Sequence, residues 1–252
     1  ISTPQLDSEL LLSSVLKTDR KNIIINQNDE LDLKSYYKFE TLIYQRSKKK
    51  PIAYLIGRKD FWNHQFKIKE GVLIPRPDTE IIVDQVLKIT KNKSNLNILE
   101  IGLGSGCLLL SILKEKKFFS GIGIDISKKS IEISKINAAD LKLLNRVKLI
   151  KSDVDNFMYG KYDLIISNPP YINKLGFNYL ESDINFEPKI ALNGGIDGLS
   201  VVRKVIDKSS KLIKKNGKLI LEIAFNQKNI IKRLLIKKGF YINKIVKDYA
   251  NN

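Results

Sequence analysis

Asn168-Pro169-Pro170-Tyr171 sets an amide, two rigid carbonyls and a phenol ring in four consecutive positions. Proline donates no backbone hydrogen bond and holds φ fixed, and Pro169 biases Asn168 toward an extended conformation. A turn this stiff suits one task, gripping a planar –NH2 group. The Asn168 side-chain oxygen and the Pro169 carbonyl each accept one N–H, and the Tyr171 ring packs against the plane of the bound group. An amide nitrogen is a poor nucleophile because its lone pair is delocalised, so holding it in line with an electrophile is most of the catalytic work. The plainer alternative is that Asn168 only turns the chain at a strand end, as Asn-Pro often does.

Two further groups of residues bear on the same chemistry. Glu100-Ile101-Gly102-Leu103-Gly104-Ser105-Gly106 forms a glycine-rich turn before an apolar helix. Glycines there let a ligand approach the backbone, and the helix N-terminus favours an anionic group. Such a turn serves NAD, FAD or S-adenosylmethionine, or simply reverses the chain; the dinucleotide pattern needs its third glycine one residue later, which favours S-adenosylmethionine. Asp125 follows about 20 residues on, where a carboxylate accepts from ribose hydroxyls or caps the next helix, a job Ser127 can also do. Asp153, with Val154 beside it, is placed to meet an adenine amine or to be an ordinary solvated loop residue.

These residues fall at the ends of strands. Apolar runs predict strands at Asn97–Ile101, 121–126, Val147–Lys151, Tyr162–Ser167, 218–223 and 241–246, alternating with helices near 106–114, 127–141, 199–213 and 227–238. Alternation of this kind marks a parallel, doubly wound α/β sheet, whose ligands bind beyond the carboxyl ends of the strands. A long irregular stretch holding Pro188 and Asn193-Gly194-Gly195 separates the fourth strand from the next helix, and loops of that length are often functional.

Ahead of the sheet, Leu6, Leu10, Leu11 and Val15 recur at helical spacing after Ser2-Thr3-Pro4, and residues 29–47 form a second amphipathic stretch. Ile23-Ile24-Ile25 is too short to assign. With no polar constellation, residues 1–50 suit substrate docking or packing. Pro51 ends the helical part, and residues 51–75 read as a β-hairpin connector. Pro75-Arg76-Pro77-Asp78-Thr79-Glu80 then leads into a helix over 81–90 that Asp78 or Thr79 can cap. Phe61 and Trp62 either wall a cofactor or pack the hairpin, packing being the simpler reading.

Composition excludes several classes. The 252 residues suffice for one α/β domain and a small companion. No apolar run approaches a membrane span, and no secretory signal pattern opens the chain. A single cysteine, Cys107, rules out a disulfide framework and fits a reducing cytosol; its apolar setting reads as core. A single histidine, His64, rules out a Cys/His metal site and leaves a general-base role as a minor option. The net charge of +17, from 44 Lys+Arg against 27 Asp+Glu, fits a nucleic-acid partner or merely a composition rich in Lys, Asn and Ile. The lysines are scattered, so charge alone assigns no such partner.

The ensemble resembles a class I S-adenosylmethionine-dependent methyltransferase. The order of motifs resembles the HemK/PrmC family, which methylates a glutamine side chain in peptide chain release factors. The likeness rests on the N-terminal helices, the segment 75–80, the glycine turn, Asn168 to Tyr171, and Phe186-Glu187-Pro188 followed by Leu192-Asn193-Gly194-Gly195 and Asp197-Gly198; it spans nearly the whole chain. The tetrad is shared with DNA adenine methyltransferases, so an exocyclic amine of adenine or guanine in DNA or RNA is the alternative substrate. The resemblance implies a Rossmann-like sheet over 76–252, a small N-terminal helical docking domain over 1–50 and a hairpin linker over 51–75. It implies S-adenosylmethionine held by Glu100, Gly102, Leu103, Gly104, Ser105, Gly106, Asp125, Asp153, Val154 and Asn168. The substrate would meet Asn168, Pro169, Pro170, Tyr171, Arg76, Thr79 and Glu80, with no metal and in the cytoplasm. This chain departs from the family at Val154, where an aromatic residue is common, and at Asn252, where a last strand is expected to follow.

Overall fold

In the computed structural model, residues 3–176 and 182–251 are described. Ser2 of the predicted helix start, and 177–181 of the long loop, lie outside them. Helices α1 (Pro4–Leu16), α2 (Arg20–Ile25), α3 (Leu33–Ser47) and α4 (Ile52–Ile56) come first. Pro4 starts α1 at a position whose N–H would be unpaired in any case, and Asp32 caps α3 by accepting from Ser35 N at 3.0 Å. Residues 52–56, expected within the hairpin connector, are instead helix α4, packed against α1 and α3. The hairpin follows as β1 (Arg58–Phe61) and β2 (His64–Lys67), antiparallel in register Phe61 to His64.

A second region holds α5 (Glu80–Ile89), β3 (Asn97–Ile101), α6 (Cys107–Glu115), β4 (Ser120–Asp125), α7 (Lys128–Asp140), β5 (Val147–Lys151), β6 (Tyr162–Ser167), α8 (Ser200–Leu212), β7 (Ile213–Leu221) and α9 (Lys228–Lys237). The five strands run parallel in the order β5-β4-β3-β6-β7. Successive side chains on a strand point to opposite faces. Ile98, Leu164 and Ile166 therefore enter a core with α5, α6, α7 and the hairpin, while Leu99, Ile101 and Ile165 enter another with α8. Burial on both faces explains why these strands are near-continuous apolar runs.

Strand order reverses between β3 and β6. In a doubly wound sheet a crevice opens at that point, outside the carboxyl ends of the strands. Ser167 Oγ stitches the two ends together by donating to the Ile101 carbonyl at 2.6 Å.

Two strand expectations need correction. The last sheet strand starts at Ile213 rather than 218, with a register break where Tyr162 pairs with Ile213 and Leu164 with Lys218. Asn216 at φ 65° supplies the irregularity, which the apolar pattern alone does not show. The strand predicted at 241–246 is not formed. Its composition suits a strand, but among the described residues no neighbouring strand pairs with it, and Tyr241 stands 94% exposed. No described helix is long and apolar enough to cross a membrane.

Candidate active site

The glycine turn leaves β3 with Gly102, Gly104 and Gly106 at φ 80°, 56° and 81°, a region L-residues with a Cβ avoid. Gly102 N and Leu103 N both donate to the Ile124 carbonyl, at 2.9 and 3.0 Å, which folds the turn over the end of β4. A Cβ on Gly104 would meet nothing within 4 Å, so that backbone faces open space. A Cβ on Gly102 would sit 4.0 Å from the Asn168 carbonyl oxygen. The two motifs that sequence singled out thus border one crevice.

Asp125, at the end of β4, stands on the opposite wall. Its Oδ2 accepts from Gly104 N and its Oδ1 from Ser127 N, both at 2.8 Å. Burial pushes its carboxyl up, and those two backbone donors oppose the shift. The Ser130 side chain donates to the carboxylate as well, which leaves one lone pair for a further donor. Ser127 caps α7 by accepting from Ser130 N, so Asp125 is not the cap. Asp153 sits at the next strand end, where its Oδ1 accepts from Asp155 N at 2.8 Å and caps a short 3-10 turn, Val154–Asn156. The Val154 side chain packs on the α8-side core.

Glu100 takes a different place. It is 2% exposed, and its Oε2 accepts from Leu109 N at 3.0 Å, in the first turn of α6. Its carboxylate is turned into the protein as a helix cap from a neighbouring strand. Burial first, then Asp125, raises its pKa well above the usual range. Cys107 packs against the core, its thiol pushed up to about 12 by burial and then by Glu100, which suits no nucleophile.

The tetrad leaves β6 at Asn168. Its Nδ2 donates to Thr79 Oγ1 at 3.0 Å, and Thr79 Oγ1 donates to Glu222 Oε2 at 2.7 Å. Tyr171 Oη donates to Glu222 Oε1 at 3.4 Å. Burial first, then Glu222, pushes the phenol up to about 12. Among the described residues no donor reaches Asn168 Oδ1. Gln227 braces the far end of the tetrad: its Nε2 donates to the carbonyls of Tyr171 and Gly198, at 3.3 and 3.0 Å.

Neither Asp78 nor Thr79 caps α5 with its side chain. Pro77–Thr79 is a 3-10 turn running straight into the helix, and Thr79 at φ −65°, ψ −20° lacks the extended backbone a capping side chain needs. The Asp78 Oδ1 instead accepts from Tyr249 N at 3.3 Å. Glu80 Oε1 accepts from Trp62 N at 2.7 Å and secures the hairpin.

Arg76 pairs with Glu187, whose other oxygen accepts from Ile74 N at 3.0 Å. Two motifs 111 residues apart are each other's partners. Glu187→Gln is expected to lower unfolding free energy by about 1–2 kcal/mol, because Ile74 keeps an acceptor while the partly exposed Arg76 loses a charged one. Chemical denaturation measures this, and an unchanged midpoint would show the pair to be idle.

Phe61 is buried edge-on against Phe66, ring centroids 6.2 Å apart, and Trp62 Nε1 donates to Glu115 Oε1 at 2.7 Å. Glu115 ends α6, a helix roughly 13 Å long, so Trp62 packs away from the glycine turn. His64 lies in the same hairpin, its pKa lowered by burial and by Lys114.

Four contributors were not assigned from sequence. Glu222 and Gln227 are described above. Asn137 on α7 clamps the hairpin to the glycine turn, its Nδ2 donating to the Ser105 carbonyl at 2.9 Å and its Oδ1 accepting from Lys67 N at 2.8 Å. Arg46 joins the N-terminal helices to the segment after the tetrad, with Nε to Asp7 and Nη1 to Asp183, each at 2.6 Å. A lone acid in an apolar strand, or an amide on a core-facing helix, is the only signal sequence offered for the first and third.

Comparison with known proteins fits this geometry. The PrmC N-terminal domain family matches residues 1–57, and the methyltransferase small domain family matches residues 79–182. A release factor glutamine methyltransferase of Buchnera aphidicola subsp. Schizaphis graminum is 38% identical over 249 residues, 99% of this chain and 90% of that protein. One from Fusobacterium nucleatum is 35% identical over 260 residues, 100% of this chain and 72% of that protein. A bifunctional methyltransferase of Rickettsia conorii is 35% identical, but the chain spans only about half (52%) of its length. Among solved structures, a ribosomal protein L11 methylase from Lactobacillus delbrueckii superposes with a TM-score of 0.54 at 19% identity, covering 75% of this chain and 83% of that one. At that identity the likeness speaks for the fold alone.

Proposed function

We propose that this chain, which belongs to the release factor glutamine methyltransferase family, transfers a methyl group from S-adenosylmethionine to the side-chain amide nitrogen of glutamine in the Gly-Gly-Gln motif of class I peptide chain release factors. The observation that carries the reading is the Asn168 amide at the β3–β6 switch point. Its nitrogen is engaged by Thr79, and its oxygen meets no donor among the described residues. The family names favour a protein amide over a nucleobase amine.

The residues fit the cofactor. Gly104 turns bare backbone to open space, Gly102 lies close to the Asn168 carbonyl, and Asp125 keeps a lone pair for a ribose hydroxyl. Gly102, Leu103, Gly104, Ser105 and Gly106 would form the cradle, with Asp153 and Val154 toward the adenine. When bound, S-adenosylmethionine supplies a methyl group on a cationic sulfur. Asn168 Oδ1 and the Pro169 carbonyl would each accept an N–H of the substrate amide, holding its nitrogen in line with that methyl. Pro170 keeps the turn stiff, and the Tyr171 face would lie near the positive charge, worth on the order of 0.5–2 kcal/mol. Orientation and electrostatics supply the rate. The proton leaves after transfer, to water or a nearby carbonyl.

The setting is the cytoplasm, where release factors act, and the N-terminal helices would dock the protein substrate. Incubation with methyl-labelled cofactor and, separately, purified release factor and nucleic acid tests the reading. Label on the Gly-Gly-Gln glutamine supports it. Label on nucleic acid alone replaces it with the nucleobase reading, and no label leaves a binding protein without turnover.

A further inference from the structure

We propose that Glu222 is a positioning residue: its carboxylate sets the direction of the hydrogen-bond chain through Thr79 and so turns the Asn168 oxygen toward the crevice. This rests on the reading of the tetrad given above. Glu222 follows the carboxyl end of β7, and its N–H donates to the Ser167 carbonyl at 3.0 Å, one residue before Asn168.

A hydroxyl carries one proton, and an ionised carboxylate only accepts. Thr79 donates that proton to Glu222 at 2.7 Å, so its oxygen is left to accept, and it selects the N–H edge of the Asn168 amide at 3.0 Å. The two edges of a primary amide have nearly the same shape, so packing alone does not choose between them. The charged end of the chain does. With the chain reversed, Asn168 would present N–H groups to a substrate –NH2 that itself has only N–H groups to offer.

Burial raises the Glu222 carboxyl, while bonds from Thr79, Tyr171 and Asn168 hold it down and Asp78 adds repulsion. Arg76 acts on the neighbouring Tyr171. Once Glu222 is protonated it can donate to Thr79, and the direction is no longer enforced. Loss of rate is therefore expected as pH falls through a value above the ordinary carboxylate range.

The experiment measures methyl transfer to release factor by wild type, Glu222→Gln, Thr79→Val and Thr79→Ser. Glu222→Gln is expected to lower kcat on the order of tenfold to a hundredfold and to flatten the acid limb, with KM for release factor and cofactor affinity changed less than about threefold. Thr79→Val, which keeps the shape and loses the hydroxyl, should lower kcat in the same direction but by less, since the direct bond from Asn168 to Glu222 remains, and Thr79→Ser should restore most of the lost rate. The double variant Glu222→Gln/Thr79→Val should be no worse than Glu222→Gln alone, because Thr79 acts through that carboxylate. Unimpaired kcat with an intact acid limb in Glu222→Gln, or unimpaired kcat in Thr79→Val, overturns the relay alone. No transfer by the wild-type protein strikes the functional reading beneath it.

Discussion

Asn168→Ala is expected to lower methyl transfer to release factor by about a thousandfold or more while leaving the protein folded. Two effects separate cleanly here. The stabilising role of the side chain is its N–H edge, which donates to Thr79 at 3.0 Å and also reaches Glu222, worth about 1–3 kcal/mol in all. The catalytic role is larger, because removing one positioned group around a reacting centre typically costs a hundredfold to a thousandfold, and here the same group also aligns the nucleophile. Initial rates with labelled cofactor, set beside denaturation midpoints, read both. A variant that folds and keeps a tenth of wild-type activity would defeat the assignment. Asn168→Asp is the stricter probe. It keeps acceptor oxygens and shape but sets a second carboxylate against Thr79, whose single proton already goes to Glu222. Two acceptors then compete for one donor, and the added negative charge faces Glu222 across the hydroxyl, so this variant should also lose orders of magnitude in rate.

Sequence located the strands of the crevice well, because burial on both faces leaves continuous apolar runs with turn residues at each end. Asn97–Ile101 and Tyr162–Ser167 form in this way with the bounds the pattern predicts, and the edge strand Val147–Lys151, with Lys148 and Lys151 exposed, also keeps its predicted bounds. The residues at those strand ends were legible for the same reason, since topology places Gly102, Asp125 and Asn168 together once the sheet is known. What sequence could not show was pairing over distance. Thr79 and Glu222 are separated by 143 residues, and Arg46 and Asp183 by 137, and nothing local marks either pair. Arg76 reads from sequence as a substrate contact and Glu187 as part of a family motif, neither as the other's partner. The segment 241–246 failed in the opposite way. Its side chains suit a strand, yet strand formation is decided by a neighbour, and composition holds no record of the neighbour.

Asp125→Ala should weaken S-adenosylmethionine binding by at least about a hundredfold, roughly 2.7 kcal/mol. Its carboxylate does two things at once. It accepts from Gly104 N and Ser127 N, both at 2.8 Å, and so holds the glycine turn against the start of α7. It also keeps a lone pair for a ribose hydroxyl proposed to lie there. Alanine orphans both backbone donors, each worth about 1–3 kcal/mol when buried without a partner, and removes the ribose acceptor. Titration calorimetry gives the total, and an analogue without ribose hydroxyls divides it. If Asp125 recognises ribose, that analogue binds wild type weakly and loses less in Asp125→Ala than the full cofactor does, since only the share that comes from the turn is left to lose. Should the analogue and the full cofactor suffer equally from the substitution, Asp125 serves only to shape the turn, and the ribose role falls. The same titration with Asp125→Asn tests charge against shape: one amide oxygen still accepts, but the amide's own N–H groups then confront Gly104 or Ser127, a donor facing a donor. Affinity should therefore fall nearly as far as with alanine, which places the requirement on a group that accepts from both sides.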